Sequence, residues 1–229
     1  MVERQISADG TGAPGPGRPP FDLVIFDMDG VIFEGRNFWL DLHRAYGTEA
    51  EALRLWQAYG ETDYPRLGSL TASGVWRGRD AAVFERLVAE RRYVDGIHDV
   101  MARLEAWKMR TAIVSSGPWQ LAERARRELG IDLALANRLA IVDGRIAGTV
   151  EIMVDENRKD EVAMQVMAAF AVPRERTAVV GDTPADARMA AVAGLAVAYD
   201  CESPVLLAAA RAALPKGELR RVIGILAAA

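Results

Sequence analysis

Phe21-Asp22-Leu23-Val24-Ile25-Phe26-Asp27-Met28-Asp29-Gly30-Val31 is the stretch on which the fold turns. Its apolar run is too short for a helix and ends in Asp-Met-Asp-Gly, so it reads as a buried strand meeting a turn. Asp27 and Asp29 lie two apart, which sends both side chains to the same side of an extended segment. Outward from this strand the pattern changes at once. Residues 37 to 92 carry helical spacing, with Phe38, Leu42 and Tyr46, then Ala52, Leu55, Trp56 and Tyr59, three or four apart. They also carry Trp39, Trp56 and Trp76 and balanced charge, but no convincing strand. This predicts a helical module inserted after the first strand.

From Asp95-Gly96 onward strands and helices alternate. A helix over about 97–107 leads to the strand Thr111-Ala112-Ile113-Val114, and Ser115-Ser116-Gly117-Pro118 is expected to open the next helix. Leu139 to Val142, Asp143-Gly144 and Ile146 to Val150 predict a hairpin. A helix over 159–170 precedes the strand Thr177-Ala178-Val179-Val180, which ends in Gly181-Asp182. After another helix comes the strand Leu195 to Tyr199, then two helical segments. The fold class expected is α/β, a doubly wound parallel sheet with a small helical cap inserted after its first strand. The boundaries expected are a Gly/Pro-rich disordered tail over 1–20, a core of 21–33 and 94–229, and a cap of 34–93.

Composition narrows the function. The 229 residues are 51% hydrophobic and 26% charged, enough to bury a core, and the net charge of −4 disfavours a nucleic-acid backbone as partner. One cysteine, Cys201, allows no intrachain disulfide, and with only His43 and His98 a zinc site of the usual ligands is nearly excluded. No apolar stretch approaches the length of a membrane span, so no membrane partner is expected and the cytoplasm is the default compartment.

Three predicted strands end in residues suited to phosphate chemistry, at the edge where open α/β sheets bind ligands. The first delivers Asp27 and Asp29, the second Ser115 and Ser116, the third Asp182 with Asp186 four residues on. Carboxylates converging on one crevice repel unless a hard cation sits among them, and magnesium suits oxygen ligands beside phosphate. Plainer readings stand beside these: Asp27 to Gly30 as a simple turn, Ser116-Gly117 as a helix start, Asp186 as a capping carboxylate. Lys159 is harder to explain structurally. Of 28 basic residues only Lys108, Lys159 and Lys216 are lysines, and Lys159 follows the expected N-cap Asn157, where a cation opposes the helix dipole. A compact ammonium holding a phosphoryl oxygen and a carboxylate would account for it.

Asp27-Met28-Asp29-Gly30-Val31, Ile113-Val114-Ser115-Ser116-Gly117, Lys159, and Gly181-Asp182 with Asp186 resemble, in order, the four motifs of the haloacid dehalogenase-like superfamily. The resemblance spans roughly residues 21 to 210. Ala136-Asn137-Arg138-Leu139 through Arg145, and Ala193 through Tyr199, are most similar to the phosphoserine phosphatase branch, which has a helical cap after its first strand. The resemblance implies a magnesium-dependent phosphatase working through an aspartyl-phosphate. Asp27 would be the nucleophile and Asp29 the acid and base. Ser115, a backbone amide near Gly117, and Lys159 would hold the phosphoryl oxygens, beside Ser116. Magnesium would be held by Asp27, the backbone carbonyl of Asp29, and Asp182, with Asp186 in support. A halide-releasing enzyme has no leaving alcohol to protonate, so Asp29 favours a phosphatase.

The leaving group would be read by cap residues, with Glu34, Arg36, Tyr64, Arg66 and Trp76 as candidates. Arg36 stands where phosphoserine phosphatases carry a glutamate, and Thr71 and Ala185 also depart from their pattern. The substrate expected is therefore a small phosphorylated metabolite, phosphoserine-like or a sugar or polyol phosphate. A phosphotransferase or phosphomutase using the same intermediate is the alternative, and a non-catalytic binding domain a more distant one. Either a monomer or a homodimer is compatible with the chain.

Overall fold

The computed structural model describes residues 18–229. Its first strand, β1 (Leu23–Phe26), is buried along its whole length because it is central and covered on both faces. Val24 and Phe26 pack into one hydrophobic cluster, whereas Leu23 and Ile25 pack into another. This is the period-two alternation of a strand between two helical layers, and it explains why the sequence reads as a continuous apolar run.

Six further strands complete the sheet: β2 (Arg110–Pro118), β3 (Leu133–Val142), β4 (Arg145–Glu151), β5 (Thr177–Gly181), β6 (Leu195–Tyr199) and β7 (Ala212–Leu214). They run in the order β4-β3-β2-β1-β5-β6-β7, all parallel except β4, which pairs antiparallel with β3 through the Asp143-Gly144 turn. The chain builds outward from β1 through β2 and β3, then returns to add β5 on the other side of β1. The carboxyl ends of β1, β2 and β5 therefore flank a topological switch point, the place where such sheets open a crevice.

Between β1 and β2 the chain forms α1 (Phe38–Tyr46), α2 (Glu49–Tyr59), α3 (Tyr64–Leu70), a π-helical turn (Thr71–Trp76) and α4 (Ala82–Glu90). Asn37 caps α1, its side chain accepting from the Leu40 amide, and Asp63 caps α3 in the same way. The segment leaves and rejoins the sheet domain where Phe33 bridges Tyr93 and the Glu34 amide donates to the Arg92 carbonyl. One hydrophobic layer combines α1 with α5 (Ile97–Ala106), α6 (Trp119–Leu129) and α10 (Arg221–Ala227), the last through Val222 and Leu226. The other holds α7 (Lys159–Ala169), α8 (Asp186–Val192) and α9 (Pro204–Ala209).

Several local expectations are corrected. Ser115 to Pro118 continue β2 and the helix begins at Trp119, because Pro118 pairs with Asn137 of β3 past a register irregularity. Asn157 does not cap α7: a 3₁₀ turn (Glu156–Arg158) precedes it, capped by Asp155, and Asn157 donates to the Gly60 carbonyl. β7 replaces a stretch expected to lie outside the sheet. Arg124 of α6 is half-buried and donates to the carbonyls of Val88, Ala89 and Arg91, beneath the end of α4. Of the expected tail, residues 1–17 lie outside the described residues, and Arg18 pairs with Asp22 and donates to the Lys108 carbonyl.

Candidate active site

The carboxyl ends of β1, β2 and β5 bring Asp27, Ser115 and Asp182 to one crevice, and Lys159 enters from the first turn of α7. Lys159 is buried, and its Nζ lies 2.8 Å from Asp27 Oδ1 and 2.7 Å from Asp186 Oδ1. Burial alone would lower its pKa. The Asp186 and Asp27 carboxylates outweigh that and hold the ammonium charged. The other oxygen of Asp186 accepts from the amides of Asp182 and Thr183 and from the Thr183 hydroxyl. Asp186 therefore both braces the β5–α8 turn and anchors the lysine.

Asp27, Asp182 and Asp186 offer carboxylate oxygens that all lie within 4.8 Å of one another. Burial, then repulsion from Asp186, pushes the Asp27 carboxyl up to about 7; burial, then Asp27 and Asp186, pushes Asp182 up to about 9. Three carboxylates against one ammonium leave a local deficit of two positive charges. Among the described residues Asp182 Oδ1 is buried with no hydrogen-bond partner. A divalent hard cation satisfies both, so the donor set fits magnesium. Close approach here also demands glycine. Gly30 sits at φ +84°, and a Cβ there would collide with the Asp182 carboxylate, just as one on Gly181 would collide with Asp186.

Asp29 is held differently. Its Oδ2 accepts from the Phe38 amide at the start of α1 (3.1 Å) and its Oδ1 from Arg91 (3.2 Å), so both partners come from the helical insertion. Burial raises its pKa against the opposing pull of Arg91 and the Phe38 amide, which favours a carboxyl group that keeps its proton nearer neutrality. Ser115 is buried and its Oγ accepts from the Gly117 amide.

Above these groups lies a cavity of about 360 Å³ lined by Asp27, Asp29, Ser115, Ser116, Gly117 and Lys159 at its base. Of the cap candidates, Tyr64, Trp76 and Arg36 also line it. Glu34 and Arg66 do not: Glu34 pairs with Arg92 at 2.7 Å and Arg66 lies over the Tyr59 ring, so both are corrected to positions outside the pocket. Arg36 stands at the mouth, donating to the Asp200 carbonyl and 3.7 Å from the Asp200 and Glu202 carboxylates.

Four contributors carried no site role in the sequence reading. Arg91 bridges Asp29 and Asp41. Trp39 lines the cavity and donates from its indole to the Ser116 carbonyl at 2.8 Å. Asn137 joins that carbonyl to the Met153 and Val154 amides. Glu156, one helical turn before Lys159, accepts from Ser116 Oγ at 3.3 Å. That adjacency to Lys159 is the one signal that could have found it.

Comparison with known proteins follows the same lines. Haloacid dehalogenase-like hydrolases, as a family, match residues 21–194. The chain is 33% identical over 196 residues to a phosphoserine phosphatase of Streptomyces coelicolor, an alignment covering 84% of this chain and 47% of that protein. It is 29% identical over 208 residues to a phosphoserine phosphatase of Idiomarina loihiensis, covering 89% and 93%. The chain thus spans about half the length of the Streptomyces protein and nearly all of the Idiomarina one. A solved structure described as a phospho-aspartyl intermediate analogue of phosphoserine phosphatase shares the fold, with a TM-score of 0.77 at 24% identity over 90% of this chain and 98% of that one.

Proposed function

Because the chain belongs to the haloacid dehalogenase-like hydrolase family, we propose that it is a magnesium-dependent phosphatase that cleaves a small phosphomonoester through an aspartyl-phosphate. The observation that carries this reading is the pair Asp27 and Asp29 facing one cavity, the first held by a buried lysine and the second by neither the lysine nor the other carboxylates. Asp27 Oδ1 is engaged by Lys159, and Oδ2 takes no protein hydrogen bond among the described residues, so Oδ2 is the attacking oxygen. As it bonds to phosphorus, the ester P–O bond breaks and its electron pair goes to the leaving oxygen, which takes the Asp29 proton. Asp29 then accepts a proton from the incoming water, whose oxygen displaces Asp27 and restores its carboxylate. Ser115, the Gly117 region and Lys159 hold the phosphoryl oxygens. Asp27, Asp182 and Asp186 would hold magnesium, which neutralises charge on the transferring group. Residues 34–93 serve as the cap over this chemistry.

Two measurements test the reading. In EDTA, phosphate release from phosphomonoesters is expected to stop and to return with magnesium. At a magnesium concentration about 100-fold above its Kd, the fold should also gain about 2.7 kcal/mol. A melting temperature indifferent to magnesium would speak against the cation site. Asp29→Asn is expected to lower kcat/KM, which reports the first transfer and not the water step, by about 10²–10⁴ for alkyl phosphates and far less for p-nitrophenyl phosphate, whose leaving group needs no proton. Equal losses on both would remove Asp29 from the acid role.

A further inference from the structure

Resting on the phosphatase reading, we propose that the alcohol carried by the substrate is apolar, an alkyl or arylalkyl group without ammonium, carboxylate or polyol functions. Away from the phosphate-facing base, the cavity wall is built by Trp39, Leu53, Trp56, Leu67, Trp76 and Ile152. Trp39 and Trp76 pair with ring centroids 5.5 Å apart, and the His43 ring lies 4.7 Å from Trp76. The apolar lining reaches the surface, because Leu53 and Trp56 remain 59% and 42% exposed on α2, a helix with no buried residue. A wall of this kind recognises an organic group by burial and stacking.

The polar groups among the lining are largely spent on the protein itself. The Ser116 carbonyl takes the Trp39 indole N–H, the Tyr64 hydroxyl and the Asn137 amide. Asn137 uses its remaining capacity on the backbone of residues 153 and 154. His43 Nδ1 is paired with Thr48, and burial pushes the imidazole down towards its neutral form. Trp76 Nε1 is buried with no hydrogen-bond partner among the described residues and offers one donor, whereas a polyol would bury several hydroxyls against this mostly apolar wall, at a cost for each left unpaired.

The charged groups are likewise engaged. Lys159 is held by two carboxylates, Arg36 at the mouth lies 3.7 Å from the Asp200 and Glu202 carboxylates, and Glu49 pairs with Arg44. Glu156 is bonded to Ser116, and burial raises its pKa, which weakens it as an anchor for an ammonium. Among the described lining residues both side-chain cations, Lys159 and Arg36, already face carboxylates of the protein.

The test uses the full chain with magnesium and esters of similar leaving-group basicity: ethyl, butyl, hexyl and phenethyl phosphate beside phosphoserine, phosphoethanolamine and glycerol phosphate. The expected result is a kcat/KM that rises about threefold per methylene, or about a hundredfold from ethyl to hexyl. Phenethyl phosphate should exceed all three polar esters. A flat alkyl series, or preference for any polar ester, overturns the proposal while leaving the phosphatase reading intact. Should no ester be cleaved, that reading fails, and the pocket is read by tryptophan fluorescence with hexyl- and ethylphosphonate. Tighter binding of the hexyl compound by about tenfold or more then supports an apolar ligand site, and equal affinity overturns it.

Discussion

Asp27→Asn is expected to abolish turnover, by about 10⁴-fold or more, in a protein that remains folded. The exchange is nearly isosteric, but a carboxamide does not form the acyl phosphate on which the second half of the reaction depends. Folding should survive because Lys159 keeps its 2.7 Å contact with Asp186 and the strand around position 27 is buried independently of the charge. The sign of the pH effect follows from the raised Asp27 pKa. An acid whose pKa climbs from 3.8 unfolded to about 7 folded stabilises the fold at low pH, and that contribution is lost as pH rises through about 7. In EDTA the wild-type chain should therefore lose stability across that window, and Asp27→Asn should lose less. Urea unfolding at pH 5 and pH 8, beside phosphate-release assays, checks both halves. Substantial activity in the variant would remove Asp27 as nucleophile.

The second large effect is expected from Lys159→Met. Methionine is close to lysine in length but leaves Asp27 and Asp186, both buried, without their cation. Removing one partner from a buried ion pair costs about 3–5 kcal/mol, because the remaining charges have neither water nor counter-charge. Activity should fall by about 10²–10³-fold through loss of charge on the transferring phosphoryl group. Magnesium should restore more stability to this variant than to the wild type, since it then faces an even larger excess of negative charge. Thermal unfolding in EDTA and in magnesium gives the comparison. A variant as stable as wild type in EDTA would contradict the assigned role of the lysine. Arginine is no substitute in such an enclosed space, which accounts for a lysine here in a chain that otherwise prefers arginine.

The residues that meet at the candidate site were legible in the sequence because each lies at the end of an apolar run: Asp27 after β1, Ser115 in β2, Asp182 after β5. A strand of four or five residues between turn signals is a local pattern, and the order of the strands places their ends together. What sequence did not disclose depends on contacts far apart along the chain. Arg91 reaches Asp29 across 62 residues, and Asn157 reaches Gly60 across 97, with no periodic signal to mark either. β7, at three residues, is too short to announce itself. Arg124 carries no such signal either, because only the returning chain of α4 supplies the carbonyls it binds. The cap wall was hardest to read for the same reason: its apolar residues come from helices whose relative packing sets which of them face the cavity. Helical spacing alone could not separate Trp56, at the exposed mouth, from Trp39, hydrogen-bonded to Ser116.

The most direct measurement is mass spectrometry of protein quenched in acid during turnover of a phosphomonoester with magnesium. One added phosphoryl group is expected on the peptide that contains Asp27, labile to hydroxylamine and missing from Asp27→Asn. Turnover with no phosphorylated peptide, or with the phosphoryl group on another residue, would contradict it.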